Sequence, residues 1–146
     1  MASPSKSKVY FFFPFGNVFL QNRTSLKKFI EKIFATEKKY LKKINYVFCS
    51  DEDLLELNKK YLFHDFYTDI LSFDLSEDKN LTEADIYISI NRVKENAQKN
   101  KISFIEELHR VIFHGALHLC GYKDKSIKEI DRMRKREDYY LSAFLK

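Results

Sequence analysis

The fold is decided by the stretch HGALHLCGYKD, residues 114–124, where the longest helical pattern of the chain ends. Apolar residues at core spacing predict that this helix runs from Ile102 to Cys120. Gly121 can adopt the left-handed conformation that ends a helix. His114 and His118 are four residues apart, so they share one helical face, about 6 Å apart along the axis. The stretch therefore predicts a central helix that carries two imidazoles near its C-terminal end.

A carboxylate follows these histidines at a spacing that suits a metal site. Asp124 comes three residues after Gly121, so a turn at the glycine can bring all three side chains to one ion. Zinc accepts His and Asp ligands, and three protein ligands leave a fourth position for water, as a catalytic site requires. We therefore predict one divalent ion, with zinc as first choice, at His114, His118 and Asp124. The alternative is a chance HxxxH pair, with Asp124 acting as a charge near the start of the last helix.

Composition indicates an ordinary globular chain of 146 residues, with 45% hydrophobic residues, three Gly and two Pro. That length suits one domain with an apolar core, and we expect a single domain over residues 1–146. Charged residues interrupt every apolar run, and Met1 to Lys8 lacks the apolar core of a secretory signal. Cys49 and Cys120 form no disulfide framework. We expect a cytoplasmic protein with reduced thiols and no membrane association.

The charge of the chain favours an anionic partner. Its formal net charge is +5, and the lysines and arginines concentrate around Lys27 to Lys43 and Arg132 to Arg136. Nucleic acid is the commonest partner of such basic segments, although a solvated basic face is an equally simple interpretation. RNA affinity that falls with salt would distinguish the two interpretations.

Hydrophobic periodicity predicts strands that are first mixed with helices and then followed by helices alone. Alternation predicts strands over Val9 to Phe15, Ile44 to Cys49, Leu71 to Leu75 and Ala84 to Ile90. Helical spacing predicts helices from a Thr24 or Ser25 cap to Leu41, from a Ser50 cap to Tyr61, from an Asn91 cap to Gln98, over Ile102 to Cys120, and after a Ser126–Glu129 capping box. The expected fold is α+β, one small mixed sheet packed with about five helices, with the metal site at the end of the central helix.

Several spaced motifs resemble the YbeY-type endoribonucleases of rRNA maturation. The family signature HGxLHLxGYDH stands here as HGALHLCGYKDK, and upstream matches are Leu57-Asn58, Tyr61, Thr68 to Phe73, Asp85-Ile86 and Ile88-Ser89. This resemblance implies a mixed sheet covered by helices and one zinc ion held by the signature. It also implies an endoribonuclease specific for single-stranded RNA, with roles in 16S rRNA 3′ end processing and ribosome quality control. The implied partners are rRNA and the small ribosomal subunit, and we expect a monomer.

The chain departs from the family pattern at two positions. Asp124 stands where the family has its third histidine, so the resemblance alone does not identify the third ligand. Leu62 stands where the family has an arginine after the tyrosine. Phosphoryl chemistry needs a cationic group beside the nonbridging oxygens. Arg110, one turn before His114, or His64 is therefore the expected substitute for the family arginine. For each of them a solvated surface role is the alternative.

The same stretch disfavours peptide hydrolysis. Gly115 occupies the position at which HExxH metalloproteases carry their glutamate base. The remaining chemistry is hydrolysis of RNA by water that the metal acidifies, with Asp69 or Asp85 as candidate orienting carboxylates. Asp85 and Arg110 are thus the candidate catalytic residues. Their alternatives are structural, since Asp69 can simply begin its strand and Asp85 can face water.

Two other functions stay open at this point. One is a metal-dependent hydrolase of another substrate class, and the other is a ribosome-assembly binding protein whose metal is not catalytic. A fourth protein ligand would indicate a structural metal. Cys120, two residues after His118, points away from the ligand face, so we expect the fourth position to stay open to water.

Overall fold

Strands and helices alternate along the chain in the computed structural model, which describes residues 7–14, 16, 20–65 and 67–145. The strands are β1 (Val9–Phe12), β2 (Tyr40–Cys49), β3 (Ile70–Asp74) and β4 (Leu81–Ser89). The helices are α1 (Arg23–Thr36), α2 (Asp51–Leu62), α3 (Ile90–Asn100), α4 (Phe104–Leu119) and α5 (Ile127–Leu145). The predicted α+β fold is confirmed. Phe15, predicted to end the first strand, lies outside the described residues.

The four strands form one mixed sheet in the order β1-β2-β4-β3. β1, β2 and β4 pair in parallel, and β3 runs antiparallel to β4 at one edge. Parallel neighbours need a crossover connection, which α1 supplies between β1 and β2. β3 therefore forms one edge of the sheet. The start of β3 lies at this edge, where it can meet the C-terminal half of α4.

The main core lies between one face of this sheet and helices α1, α4 and α5. Strand alternation directs Ile44, Tyr46 and Phe48 of β2 and the facing residues of β4 into this layer, where they are fully buried or nearly so. The Tyr46 hydroxyl donates a hydrogen bond of 3.0 Å to the Ile112 carbonyl oxygen of α4. Tyr46 thereby joins the sheet to the helix that carries the two histidines. A smaller cluster under α2 covers part of the opposite sheet face.

Gly115 brings α4 close to the sheet. A Cβ at this position would lie 2.9 Å from the Cδ1 atoms of both Ile70 and Ile86. A glutamate side chain here would enter the apolar layer between helix and sheet, where burying a charge is costly. This packing gives a physical reason for the absence of a metalloprotease-type base, and it fixes His114 and His118 next to the start of β3.

Both ends of α1 differ from the predicted ones. The expected continuation of α1 to Leu41 is wrong, because Lys38 turns the chain with φ = 60° and Tyr40 and Leu41 pair with Leu81 and Thr82 of β4. Neither Thr24 nor Ser25 caps α1, whose N-cap is Asn22 without a side-chain hydrogen bond. Local helical spacing fitted Leu41, but long-range strand pairing determines its structure.

The caps of the other helices show which polar side chains begin them. Ser89, not Asn91, caps α3 and accepts a hydrogen bond from the Arg92 amide, while the Asn91 side chain accepts one of 3.0 Å from the Asp51 amide of α2. The predicted capping box is confirmed, since the Glu129 amide donates to Ser126 Oγ and the Ser126 amide donates to Glu129 Oε1.

None of the helices in the described ranges combines the length and the apolar character needed to cross a bilayer.

Candidate active site

A cavity of about 420 Å³ lies where α4, α5 and the start of β3 meet. Its walls come from three parts of the chain: the segment around β3 (residues 68–72), one face of α4 (Glu107, Arg110, Val111, His114, His118) and the C-terminal region (Asp124, Arg134, Glu137). The three predicted metal ligands therefore line one cavity, and so does the predicted phosphate-binding Arg110.

His114 is held between two carboxylates. Its Nδ1 lies 2.6 Å from Glu137 Oε2, and its Nε2 lies 3.3 Å from Asp124 Oδ2. Histidines that bind metals commonly donate the other ring N–H to a carboxylate, which fixes the tautomer and directs the free nitrogen at the ion. The spacing of 3.3 Å between Nε2 and Oδ2 also suits two ligand atoms of one tetrahedral ion with bonds of about 2.0–2.2 Å.

Burial and neighbouring charges shift the pKa of His114 in opposite directions. Burial favours the neutral ring and lowers the pKa, but the hydrogen bond and charge of Glu137, together with Asp124, outweigh it and leave the pKa raised. The site thus holds strong negative potential around this imidazole, and a cation is the group that such potential attracts.

His118 lies on the same wall as His114. The two rings are nearly parallel, with 5° between their planes and 6.4 Å between their centroids. In the described part of the chain, no three His, Cys, Asp or Glu side chains already converge as closely as a bound metal demands. His114 and Asp124 stand at ligand spacing and His118 borders the same cavity, so the three-residue ligand set stays a prediction that the donor chemistry fits.

The charge of the cavity walls also fits a divalent cation. Four carboxylates (Asp69, Glu107, Asp124 and Glu137) face two guanidinium groups (Arg110 and Arg134), which leaves an excess of two negative charges. Burial raises the pKa of Asp69, and burial together with the charge of Asp69 raises the pKa of Glu107. Burial is the larger cause for both groups, so these raised values show mainly that the two carboxylates are withdrawn from water.

Arg110 borders the cavity but its guanidinium is already engaged. Nη1 donates to Glu137 Oε1 at 3.0 Å and Nη2 donates to Asp138 Oδ1 at 2.7 Å, and the side chain is only 11% exposed. Arg110 therefore supports Glu137, which in turn orients His114. His64, the other proposed substitute for the family arginine, follows α2 and does not line this cavity.

Of the two candidate orienting carboxylates, Asp69 and Asp85, only Asp69 lies at the cavity. Asp69 lines the cavity beside His114. Asp85 alternates with the buried Ala84 and Ile86, so it lies on the opposite face, where its Oδ1 accepts a hydrogen bond of 2.9 Å from Asn45 Nδ2. The structure does not bring Asp85 together with the histidines, so the predicted catalytic role of Asp85 does not fit this cavity.

Sequence reasoning missed Glu107, Arg134 and Glu137 as members of the site. Glu107 was detectable, because it lies seven residues before His114 and shares its helical face. Arg134 and Glu137 lie three residues apart on one face of α5, but nothing local indicates that this face meets α4. Glu137, only 4% exposed, gives the site its most direct support.

Cys120 stays apart from the predicted ligands. It borders a separate depression with Gly121 and Tyr122, and burial raises the pKa of its thiol to about 12. A buried protonated thiol outside the cavity is a poor metal ligand. This placement supports the expectation that Cys120 does not close the fourth coordination position.

A hydrogen-bond network holds the loop that carries Asp124. Glu37, at the C-terminal end of α1, accepts hydrogen bonds of 2.8 Å from the Tyr122 hydroxyl and from Arg136 Nε, and a further one from the Tyr140 hydroxyl. The network joins α1, the loop after α4 and α5. Burial alone would raise the pKa of Glu37, but these hydrogen bonds and the charge of Arg136 outweigh it and lower the pKa.

We expect Glu37→Gln to lower the free energy of unfolding at pH 7 by about 1–3 kcal/mol, since hydrogen bonds to a charged acceptor are weakened. Because the folded-state pKa is lowered from the ordinary 4.5, this contribution is present above about pH 4.5 and is lost as pH falls through the folded value. Denaturant unfolding between pH 3 and pH 7 measures it, with the exposed Glu77→Gln as control. A difference that is absent at pH 7, or that does not shrink on acidification, would contradict this role of Glu37.

Comparison with known proteins gives one consistent family. A family model described as Endoribonuclease YbeY matches residues 18–145. A protein named Endoribonuclease YbeY from Cytophaga hutchinsonii is 48% identical over 138 residues, which cover 94% of this chain and 96% of the relative. Its namesake from Karelsulcia muelleri is 49% identical over 87% of this chain and 89% of its own length.

A solved structure shares the fold. The solution structure of TM1509 from Thermotoga maritima matches with a TM-score of 0.63 and 27% sequence identity, and the match covers 91% of this chain and 86% of that chain.

Proposed function

The chain belongs to the YbeY family of endoribonucleases, and we propose that it is a zinc-dependent enzyme that cleaves single-stranded RNA during rRNA maturation. As a family member it is a nuclease, an enzyme of the hydrolase class. The observation that supports the metal most directly is His114, held by Glu137 with its Nε2 at ligand spacing from Asp124. His118 is the proposed third ligand, and its ring borders the same cavity.

Several residues at the cavity have distinct roles in this proposal. When bound, a divalent ion supplies a Lewis acid and lowers the pKa of a coordinated water. Glu137 fixes the orientation of His114, and Arg110 fixes the orientation of Glu137. Asp69 borders the cavity and is placed to orient a water molecule by accepting its hydrogen bond. The apolar packing of Gly115 against the sheet keeps the histidine-bearing helix in register with β3.

The proposed physiological substrate is ribosomal RNA, notably the 3′ end of 16S rRNA, with a role in ribosome quality control. The proposed partner is the small ribosomal subunit, bound by a monomer of this chain in the cytoplasm. The family relation and the formal net charge of +5 support this proposal. The basic residues predicted to contact phosphates lie on α1, on β2 and on α5, because the segment from Lys27 to Lys43 spans two elements and not one helix.

An RNA cleavage assay tests the proposed function. We expect the purified protein to cleave a single-stranded RNA that carries the precursor 3′ end of 16S rRNA, and to leave the same sequence uncut when it is paired in a duplex. Chelation should abolish cleavage, and added Zn²⁺ should restore it. His114→Ala is the matched control, because it removes a proposed ligand and should be inactive with or without Zn²⁺.

The outcomes of this assay separate the alternatives. Cleavage that survives chelation would contradict the metal proposal. RNA binding without cleavage would instead favour an assembly factor with a non-catalytic metal. We also expect RNA affinity to fall steeply with salt, and an affinity that is constant between 50 and 200 mM salt, roughly the range over which phosphate contacts weaken, would exclude RNA as the ligand.

A further inference from the structure

One cation on the cavity wall forms no hydrogen bond or ion pair with the residues that the structure describes. Arg134 of α5 is exposed and lines the cavity together with His114, His118 and Asp124. Its guanidinium makes no hydrogen bond and no ion pair with the residues that the structure describes, although its charge acts on Glu107. Arg110, the other guanidinium of the cavity, is bound to Glu137 and Asp138. Of the two guanidinium groups at the cavity, Arg134 is therefore the one that can bind a ligand.

The surrounding carboxylates explain why Arg134 stays available. On a helix its ion-pair partners would be the carboxylates three or four positions away, which are Glu137, Asp138 and Asp131. Asp131 pairs instead with Lys135 at 3.0 Å. Glu137 is occupied by His114 and Arg110, and Asp138 binds Arg110 at 2.7 Å. Arg110 thus takes up the two carboxylates that would otherwise neutralise Arg134.

The charge of the cavity indicates that an RNA phosphate is the ligand of Arg134. An RNA phosphodiester is an anion, and the walls of the cavity other than Arg134 carry four carboxylates and one guanidinium, an excess of three negative charges. A bound divalent ion would offset two of these charges and would leave no positive charge for the phosphate. A phosphate that enters the cavity is stabilised only where a further donor reaches its nonbridging oxygens, and an exposed guanidinium presents a planar fork that suits two such oxygens.

The position at which the resemblance places an arginine does not supply this donor. Leu62 ends α2, is 39% exposed and does not line the cavity. We propose that Arg134 binds the nonbridging oxygens of the RNA phosphate that enters the cavity, in place of the arginine that is missing at Leu62. This inference rests on the proposed function, since it takes RNA as the ligand.

Binding and cleavage by Arg134 variants test the inference. The binding probe is a fluorescent single-stranded oligodeoxynucleotide, whose phosphates are retained but which an endoribonuclease does not cleave. For zinc-loaded Arg134→Gln we expect affinity to fall about 10- to 100-fold, and the slope of log affinity against log salt to become shallower by about 0.7, the value for one lost contact to a single strand. Arg134→Lys, which keeps the charge without the fork, should lie between Arg134→Gln and the wild type.

A matched control removes the same charge elsewhere on α5. Lys128 is exposed, does not line the cavity, and lies about 120° around the helix from Arg134. Lys128→Gln should leave the salt slope unchanged. Cleavage of single-stranded RNA should fall about 100-fold in kcat/KM for Arg134→Gln, in the range measured for the loss of one transition-state donor. Thermal unfolding should change little in either variant, because neither side chain forms a hydrogen bond or ion pair in the described part of the chain and Arg134 acts on Glu107 only through its charge.

Each result has one meaning. A salt slope for Arg134→Gln equal to that of the wild type or of Lys128→Gln would overturn the inference, whatever the cleavage result. Wild-type cleavage by Arg134→Gln would overturn it as well. If instead the wild type cleaves no RNA while the slope changes only in Arg134→Gln, the phosphate contact stands and the proposed function fails.

Discussion

Asp124→Ala is expected to lose the bound divalent ion, with an affinity for Zn²⁺ lower by more than about 100-fold, a larger loss than removal of a supporting residue causes. The reason is the position of its Oδ2, 3.3 Å from His114 Nε2 in a cavity that otherwise offers only His118 as a further proposed ligand. Asp124→His should keep the ion, because an imidazole replaces one donor by another that zinc accepts. Elemental analysis of the purified proteins and a competition titration for Zn²⁺ measure both effects.

The control for this prediction is an exposed aspartate nearby on α5. Asp131 pairs with Lys135 at 3.0 Å on the surface and does not line the cavity. Asp131→Ala should bind Zn²⁺ as the wild type does. One ion per chain in purified Asp124→Ala, at wild-type affinity, would show that Asp124 is not a ligand and would leave its carboxylate as a charge near the start of α5.

Glu137→Gln is expected to weaken zinc binding by about 10- to 100-fold and to lower the free energy of unfolding by about 3 kcal/mol. The side chain is buried and binds both His114 Nδ1 and Arg110 Nη1, so the amide keeps the shape of the group and removes its charge. The change leaves a largely buried guanidinium with only one carboxylate partner. Titration of Zn²⁺ and denaturant unfolding of the metal-free protein separate the two effects.

Asp138→Asn provides the comparison for Glu137. Asp138 binds the same arginine but is 57% exposed, so its loss should cost no more than about 1 kcal/mol and should not change zinc affinity. Equal effects of the two substitutions, or wild-type zinc affinity in Glu137→Gln, would show that the contact between Glu137 and His114 does not prepare a metal ligand.

The sequence could predict those parts of the site that one helix and its end determine. His114, His118 and Gly121 belong to a single periodic segment, and the Ser126–Glu129 capping box requires only local spacing. These features depend on contacts within a few residues, so the pattern contains the necessary information. Gly115, which lies close to the sheet, belongs to the same segment.

Features that depend on distant contacts could not be predicted. Leu41 fits helical spacing, yet pairing with Thr82 places it in β2. Asn91 is a good capping residue, but the fold brings it to the amide of Asp51 in α2 and not to its own helix. Glu137 and Arg134 lie on an ordinary charged helix until α5 packs beside α4. Tertiary placement, which local patterns do not encode, assigns these residues their roles.

Anomalous diffraction at the zinc absorption edge, from crystals of the protein purified without added chelator, tests the metal centre most directly. We predict one anomalous peak per chain, bounded by the imidazoles of His114 and His118 and the carboxylate of Asp124, with Glu137 still bound to His114. A peak at another set of residues, a fourth protein ligand at this ion, or no peak in protein that cleaves RNA would contradict the zinc-dependent site proposed for this chain.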